Sequence, residues 1–373
     1  MSNADALYIG LMSGTSADAI DAALCAFDPH PRLLSALAHP WPDDLRRHML
    51  ALAQGEDHID LDTLGRMDVA IGECQADAVH ALLVQSGVSS TDVRAIGMHG
   101  QTLRHRPNGE HPFTLQLGDP WVVAERTRIA TVADFRRADV AAGGQGAPLM
   151  PAFHATILAV PGATRGILNL GGIANLTVLA ADGHVRGFDT GPANGLLDAW
   201  CQRHRGEAFD RDGAFAAAGR CDDALLVELL DDAYFSRPPP KSTGREHFHL
   251  AWLAAHPRVA MLAPADMQAT LLALTVHSIA DAIHAHAPDA ADILVCGGGV
   301  HNRALMNALV KALAPRPVHS TAAAGVDPDV MEAMGFAWLA RQRLLGLPGN
   351  LPAVTGARGP RLLGTMHSAP ANP

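Results

Sequence analysis

An apolar run from Leu7 to Met12 is followed, after a turn of small and polar residues, by a second run from Ile20 to Phe27. Both are short and nearly continuous. This predicts two buried strands joined as a hairpin, with Ile20, Leu24 and Ala26 on one face of the second. The next stretch is long and partly helical, and includes "LGRMDVAIGECQADAVHALLVQSG". "VRAIGMHG" and "FTLQLG" read as strands. Asp119-Pro120 reads as a helix start, with an N-cap acid and proline at the first helical position. "RIATVADF" reads as a further strand.

Beyond the Gly-rich stretch "AAGGQGAPLMP", which predicts a functional loop or a domain junction, the opening grammar returns. "RGILNLGGIANLTVLAADGHVRGFDTG" gives a strand, a Gly-Gly turn, a strand, an Asp-Gly turn and a strand. Both halves thus begin with strand, glycine turn and strand, a repeat of topology rather than of letters. Helical spacing follows in "CDDALLVELLDDAYF" and "ADMQATLLALTVHSIADAIHAH". "DILVCGGGVHNRALMNALVKALA" reads as a buried strand, a glycine turn and a helix. In "DPDVMEAMGFAWLARQRLLG", Asp329 and Glu332 have capping-box spacing. "SRPPPKSTGREHF" is a loop whose Lys241 and Arg245 could meet a phosphate or a carboxylate but read more simply as solvated, and the Pro- and Gly-rich C-terminal stretch ends in a mobile tail. Alternating strands and helices predict an α/β chain with mixed sheets. The hairpins, and the lack of Walker-type and Gly-x-Gly-x-x-Gly motifs, argue against a simple doubly wound nucleotide fold.

A length of 373 residues suits two domains, and 48% hydrophobic with 18% charged residues suits a soluble globular chain. A formal net charge of -10 argues against general affinity for nucleic acid or anionic membranes. No stretch is apolar enough to span a bilayer, and "MSNADALYIG" lacks the regions of a signal peptide. The five cysteines are odd in number, widely spaced and without a Cys-x-x-Cys, which suggests free thiols in a reducing cytoplasm.

The turns carry the candidate chemistry. Backbone N–H groups and hydroxyls at Gly14, Thr15 and Ser16 can cradle an anion, and Asp18 can hold magnesium directly or through water. A plain hairpin turn with solvated polar groups fits the same residues. Asp189, between a strand and a Thr-Gly turn leading to a helix, is placed to orient a nucleophile or accept its proton, or merely to cap the helix. Asp198 reads as structural. Gly297, Gly298 and Gly299 let a flat ligand such as adenine or ribose approach the backbone. His99 reads as a hydrogen-bonding residue at a strand end, and the spacing of His99, His105 and His111 is not that of a zinc site. "EHFHL" is not His-Glu-x-x-His and no Gly-x-Ser-x-Gly occurs, so a metalloprotease and a serine hydrolase lack support.

The segments "GLMSGTSADAID", "HGQTLRHRP", "LQLGDP", "VADFRRADVAAGGQGAPLMP", "NLGGIANLT", "GFDTGPANGLLD", "PPKSTGRE" and "CGGGVHN" occur in one order. Together they resemble the anhydro-N-acetylmuramic acid kinase family, sugar kinases of the actin/hexokinase/Hsp70-like ATPase superfamily, over nearly the whole chain. The resemblance implies a two-domain actin/hexokinase-like (ribonuclease H-like) α/β fold with mixed sheets and an interdomain cleft. Residues 1–135 and 360–373 would form the N-terminal domain and 136–359 the C-terminal one.

It further implies a reaction in two parts. Water opens the 1,6-anhydro bridge of anhydro-N-acetylmuramic acid, and the freed O6 takes the γ-phosphate of ATP, with Mg2+. The products are N-acetylmuramic acid 6-phosphate and ADP, in peptidoglycan recycling and amino-sugar catabolism. Asp189 matches the family's base. Because phosphorus captures the leaving oxygen, one carboxylate can suffice where an inverting glycosidase needs two. Gly14, Thr15, Ser16, Asp18 and Asp21 belong to the first phosphate loop, with Asp18 at the magnesium. Gly171, Gly172 and Asn175 form the second, and Gly297 to Gly299 with Asn302 meet the nucleoside. His99, Gln101, Asp134, Arg136 and Gly146 line the sugar side, where Arg136 can hold the lactyl carboxylate bidentately. Glu332 either reaches the site or serves only its capping box.

The family usually has Leu and Gly where this chain has Ala17 and Ala19, and Gly where it has Ala193. Ala19 could restrict a backbone position needing φ > 0. A homodimer is also implied. Two alternatives stay open: an ordinary hexose or amino-sugar kinase, and a non-catalytic sugar- or nucleotide-binding regulator on the same fold. The regulator predicts loss of Asp18 or Asp189 and an added DNA-binding segment, and neither is seen.

Overall fold

In the computed structural model, which describes residues 6–14, 17–54, 59–244 and 247–369, the opening hairpin forms as expected. Thr15, Ser16, Arg245 and the chain end at 370–373 lie outside the described residues. β1 (Leu7–Met12) runs antiparallel to β2 (Ile20–Ala26), with Met12 opposite Asp21. Both strands are almost wholly buried, which explains continuous apolar runs in place of alternation.

β2 pairs antiparallel with β3 (Arg32–His39), an edge strand within a stretch expected to be partly helical. Its Leu- and Ala-rich sequence carries no β-branched residue, so its pairing with β2 decides its conformation. β4 (Val93–Met98) lies parallel to β1. β5 (Gln101–Arg106) and β6 (Phe113–Leu117) form a separate two-stranded ribbon. The polar β5, "QTLRHR", gives little hydrophobic alternation to read. β7 (Thr131–Ala133) runs parallel to β4, and Thr365–His367 closes the edge antiparallel to β7. Asp119 caps the helix Pro120–Thr127 as expected.

A second sheet repeats the plan. β8 (Arg165–Leu170), β9 (Ile173–Leu179) and β10 (Val185–Pro192) form an antiparallel meander. β11 (Asp292–Cys296) lies parallel to β8, and β12 (Val318–Ser320) parallel to β11. The order β10-β9-β8-β11-β12 matches β3-β2-β1-β4-β7, with the same strand directions. The topological repeat is therefore one α/β plan used twice, the actin/hexokinase-like arrangement. No described helix is long and apolar enough to cross a membrane.

The chain divides into two compact units, one of residues up to Phe153 together with Val330 onward, the other His154–Asp329. Residues 136–153 and 330–359 thus group with the first unit, where the sequence suggests the second domain. The helix Met331–Leu345 supplies the reason, because it packs on β1 and β4. Gly10 and Gly97, paired across those strands, permit the approach. A Cβ on Gly10 would overlap the carbonyl oxygen of Ala333, and one on Gly97 that of Phe336.

The expected capping box of this helix is not formed: Val330 is its N-cap and has no side-chain cap bond. Asp329 instead accepts from His301 Nε2 at 2.8 Å, within the second unit. Standing one position too early, it is taken by a tertiary partner.

Candidate active site

In the first unit, the turn after β1 is braced from outside. Ala17 N donates to Gly14 O at 3.0 Å, and Gln101 Nε2 donates to the same carbonyl at 3.2 Å. Ala17 has φ 47, so among the described residues of the turn it is Ala17, rather than Ala19, that takes the left-handed conformation. An L-residue there costs about 1–2 kcal/mol. Arg46, on the helix Asp43–Gln54, donates from Nε to Ala17 O at 2.7 Å and from Nη2 to Asp18 Oδ1 at 2.9 Å.

Asp18 is exposed, whereas Asp21 sits half-buried in β2. Magnesium keeps much of its shell as water and phosphate oxygen and needs only one or two carboxylates. The exposed Asp18 carboxylate meets that need, in competition with Arg46. Among the described residues no cluster of three His, Cys, Asp or Glu side chains could enclose a metal. An ion at Asp18 would therefore take the rest of its shell from water and ligand oxygens.

Three of the residues expected on the sugar side, His99, Arg136 and Gly146, are hydrogen-bonded together. His99 follows β4, and its N–H donates to Leu11 O at 3.0 Å. Arg136 reaches His99 Nε2 from Nε at 3.2 Å and from Nη2 at 2.9 Å, and donates from Nη1 to Gly146 O at 2.8 Å. A guanidinium only donates, so Nε2 accepts and the ring proton sits on Nδ1. Burial, then the Arg136 charge, push the His99 pKa well below its usual value, and the ring is neutral. Gln101 is buried, with Nε2 bonded to Gly14 O and Oε1 without a hydrogen-bond partner among the described residues. Such an acceptor is costly to leave unmet.

Asp134 has φ 61 and lies 3.5 Å from Arg137 Nε, and burial raises its pKa. Arg136 thus turns toward His99 and Gly146, and Arg137 toward Asp134. Glu332 is half-buried in the first turn of its helix. Asp139, a member of the same motif that did not stand out in the sequence, is fully buried and bonded to Gly146. Its one signal is an acid set among small residues in "ADVAAGG".

In the second unit, Asn169 stands opposite Asn175, and Asn175 opposite Asp189, forming one cross-strand polar row. Asn175 is thus a strand residue rather than part of the glycine turn. The turn's carbonyls receive the start of the helix Asn194–Arg205. Ala193 N and Gly195 N donate to Gly172 O at 3.1 and 3.0 Å, and Asn194 N donates to Gly171 O at 3.1 Å. Those three N–H groups are committed within the fold.

Asp189 lies at a register shift in β10, still inside the strand. Its Oδ2 accepts from Thr243 N at 2.9 Å, its N–H donates to Lys241 O at 3.2 Å, and its carbonyl accepts from the Tyr234 hydroxyl at 2.7 Å. Lys241, expected to be solvated, donates to the carbonyls of Tyr234 and Phe235 at 3.2 and 3.1 Å and lies 4.7 Å from the Tyr234 ring centroid. Burial lowers its pKa, while burial and the Asp189 charge raise that of Tyr234. Tyr234 and Thr243 do not stand out in the sequence, and Lys241 stands out there only as a basic loop residue. Their signal is an aromatic pair followed by a proline-rich loop with one lysine. A carboxylate with one oxygen fixed by an N–H is oriented to accept a proton.

The third glycine turn divides by role. Gly297 (φ 81) and Gly299 pack against the end of β8, while Gly298 faces open space. Asn302, expected at the nucleoside, uses its Oδ1 to cap the helix Arg303–Leu313 through Leu305 N at 3.0 Å.

A family model described as anhydro-N-acetylmuramic acid kinase matches residues 6–369. A protein of that name from Xanthomonas campestris pv. campestris is 56% identical, covering 97% of this chain and 97% of its own. One from Xylella fastidiosa is 54% identical over 97% of this chain and 96% of its own, and one from Coxiella burnetii 48% over 96% and 97%. Among solved structures, a ROK family glucokinase from Streptomyces griseus in complex with glucose and AMPPNP is 17% identical over 90% of this chain and 99% of its own, with a TM-score of 0.42. With a family model spanning nearly all of it and relatives this similar end to end, the chain belongs to the anhydro-N-acetylmuramic acid kinase family.

Proposed function

We propose that this kinase opens the 1,6-anhydro bridge of anhydro-N-acetylmuramic acid with water and phosphorylates the freed O6 from ATP, giving N-acetylmuramic acid 6-phosphate and ADP. The observation that carries the reading is the Asp189 carboxylate, held through Oδ2 by the Thr243 N–H.

Asp189 takes a proton from the water that attacks C1. The C1–O6 bond breaks, and O6 bonds to the γ-phosphorus as the bridge to ADP breaks. Phosphorus, rather than a second acid, receives the leaving oxygen. The neutral His99 offers a donor, Gln101 Oε1 an acceptor, and Arg136 a charge for the lactyl carboxylate. The Gly14 turn and Gly171-Gly172 serve the phosphates. Magnesium at Asp18 would neutralise phosphate charge. On this reading the chain acts in the cytoplasm, as a homodimer, in peptidoglycan recycling and amino-sugar catabolism.

The test is ADP release from ATP and magnesium with the anhydro sugar, run beside free N-acetylmuramic acid and with Asp189→Asn. Release should require the anhydro sugar and fall by about 100-fold or more in the variant. Turnover of free sugars alone would replace the reading with an ordinary sugar kinase, and ATP binding without turnover with a regulator.

A further inference from the structure

Asp139 lies in the short helix Arg137–Ala141, and none of it is exposed. Its Oδ1 accepts from Asn350 Nδ2 and Thr355 Oγ1, both at 2.7 Å, and its Oδ2 from Gly146 N at 2.8 Å. Its own carbonyl accepts from Gly144 N at 2.9 Å. Removing a carboxylate from water is expensive unless its lone pairs are met, and here three neutral donors meet them. An apolar side chain would fill the space without that cost. What only the acid accomplishes is to tie the glycine-rich loop to two points on the segment Asn350–Thr355.

The tie continues toward the site. Gly146 gives its N–H to Asp139, and its carbonyl accepts from Arg136 Nη1, whose guanidinium also holds His99 Nε2. Gly146 has φ 66, and a Cβ there would come within 2.8 Å of Val140, so its path is narrow. A residue bonded at both backbone groups transmits a displacement at one to the other.

We propose that Asp139 is a positioning residue that, through Gly146, sets the orientation in which Arg136 and His99 receive the sugar. It touches no substrate. The proposal rests on the reading that Arg136 and His99 face the sugar.

Asp139→Asn keeps the shape but cannot accept from all three donors, because its amide sets a donor against a donor on one side. Thr355→Val removes a single donor at nearly constant shape and decides the matter should Asp139→Asn fail to fold. KM for the anhydro sugar and for ATP, kcat and Tm are measured for both, and for Arg136→Lys.

The sugar KM should rise about 10-fold in Asp139→Asn and about threefold in Thr355→Val, with the ATP KM within about twofold of the parent. A lower Tm with an unchanged sugar KM in both variants means a merely structural role and overturns the proposal. If Arg136→Lys raises the sugar KM while those two do not, positioning through Asp139 is wrong and the reading of the site stands. If Arg136→Lys leaves the sugar KM unchanged, that reading fails and the proposal falls with it.

Discussion

Replacing each glycine of the turn after β11 by alanine should separate folding from ligand approach. Gly297 has φ 81 and ψ 167, a region left almost entirely to glycine, and a Cβ there would overlap Asn169 Oδ1. Backbone strain of about 2 kcal/mol and overpacking of about 2 kcal/mol give about 4 kcal/mol for Gly297→Ala. In a unit of this size each kcal/mol moves Tm by about 2–4 °C, so the transition should fall by about 8–16 °C. Gly299→Ala should also lower Tm, since its Cβ would lie 2.5 Å from Leu170 Cβ. Gly298 has no heavy atom within 4 Å of the Cβ it would gain. Gly298→Ala should therefore change stability by less than about 0.5 kcal/mol. If the nucleoside lies against this turn, the added methyl should raise the ATP KM about tenfold, equivalent to about 1.4 kcal/mol. Thermal melts and steady-state kinetics on the three variants decide. A Tm loss in Gly298→Ala equal to that in Gly297→Ala would refute the packing argument, and an unchanged ATP KM in Gly298→Ala the nucleoside assignment.

Buried neutral histidines should make the protein sensitive to acid. Burial pushes the pKa of His105 down to about 4 and that of His154 to about 3, while an unfolded imidazole titrates at about 6.5. Above about pH 6.5 their contribution to stability is complete. As pH falls below that value the unfolded chain binds protons first, and the contribution is lost progressively toward the folded-state values. Melts between about pH 7 and 4 should show Tm falling, less steeply by about one proton in His154→Gln; a slope unchanged in the variant would contradict the assignment. Gly10→Ala and Gly97→Ala should each cost about 3 kcal/mol or more, read as lost soluble yield and lower Tm, because the helix Met331–Leu345 must move away from β1 and β4. A parental Tm in either variant would show that the helix yields freely.

Local patterns determined a great deal by themselves. The β1–β2 hairpin, the β8–β9–β10 meander and the cap at Asp119 follow from apolar runs and turn residues a few positions apart, so the repeated plan was legible in the chain. Asp189 and the three glycine turns stood out because a motif is itself a local object. The tertiary structure alone decided which partner each polar group would meet. Lys241 looked like a solvated loop residue until Tyr234 was folded against it, and Asp329 had capping-box spacing yet went to His301. Ala17, not Ala19, took the left-handed conformation where Arg46, 29 positions away, braces it. Asp139 meets Asn350 across 211 positions and Thr355 across 216. Periodicity reports which face of an element is buried, but a hydrogen bond over that separation depends on how whole elements pack, and nothing in the neighbouring residues encodes it.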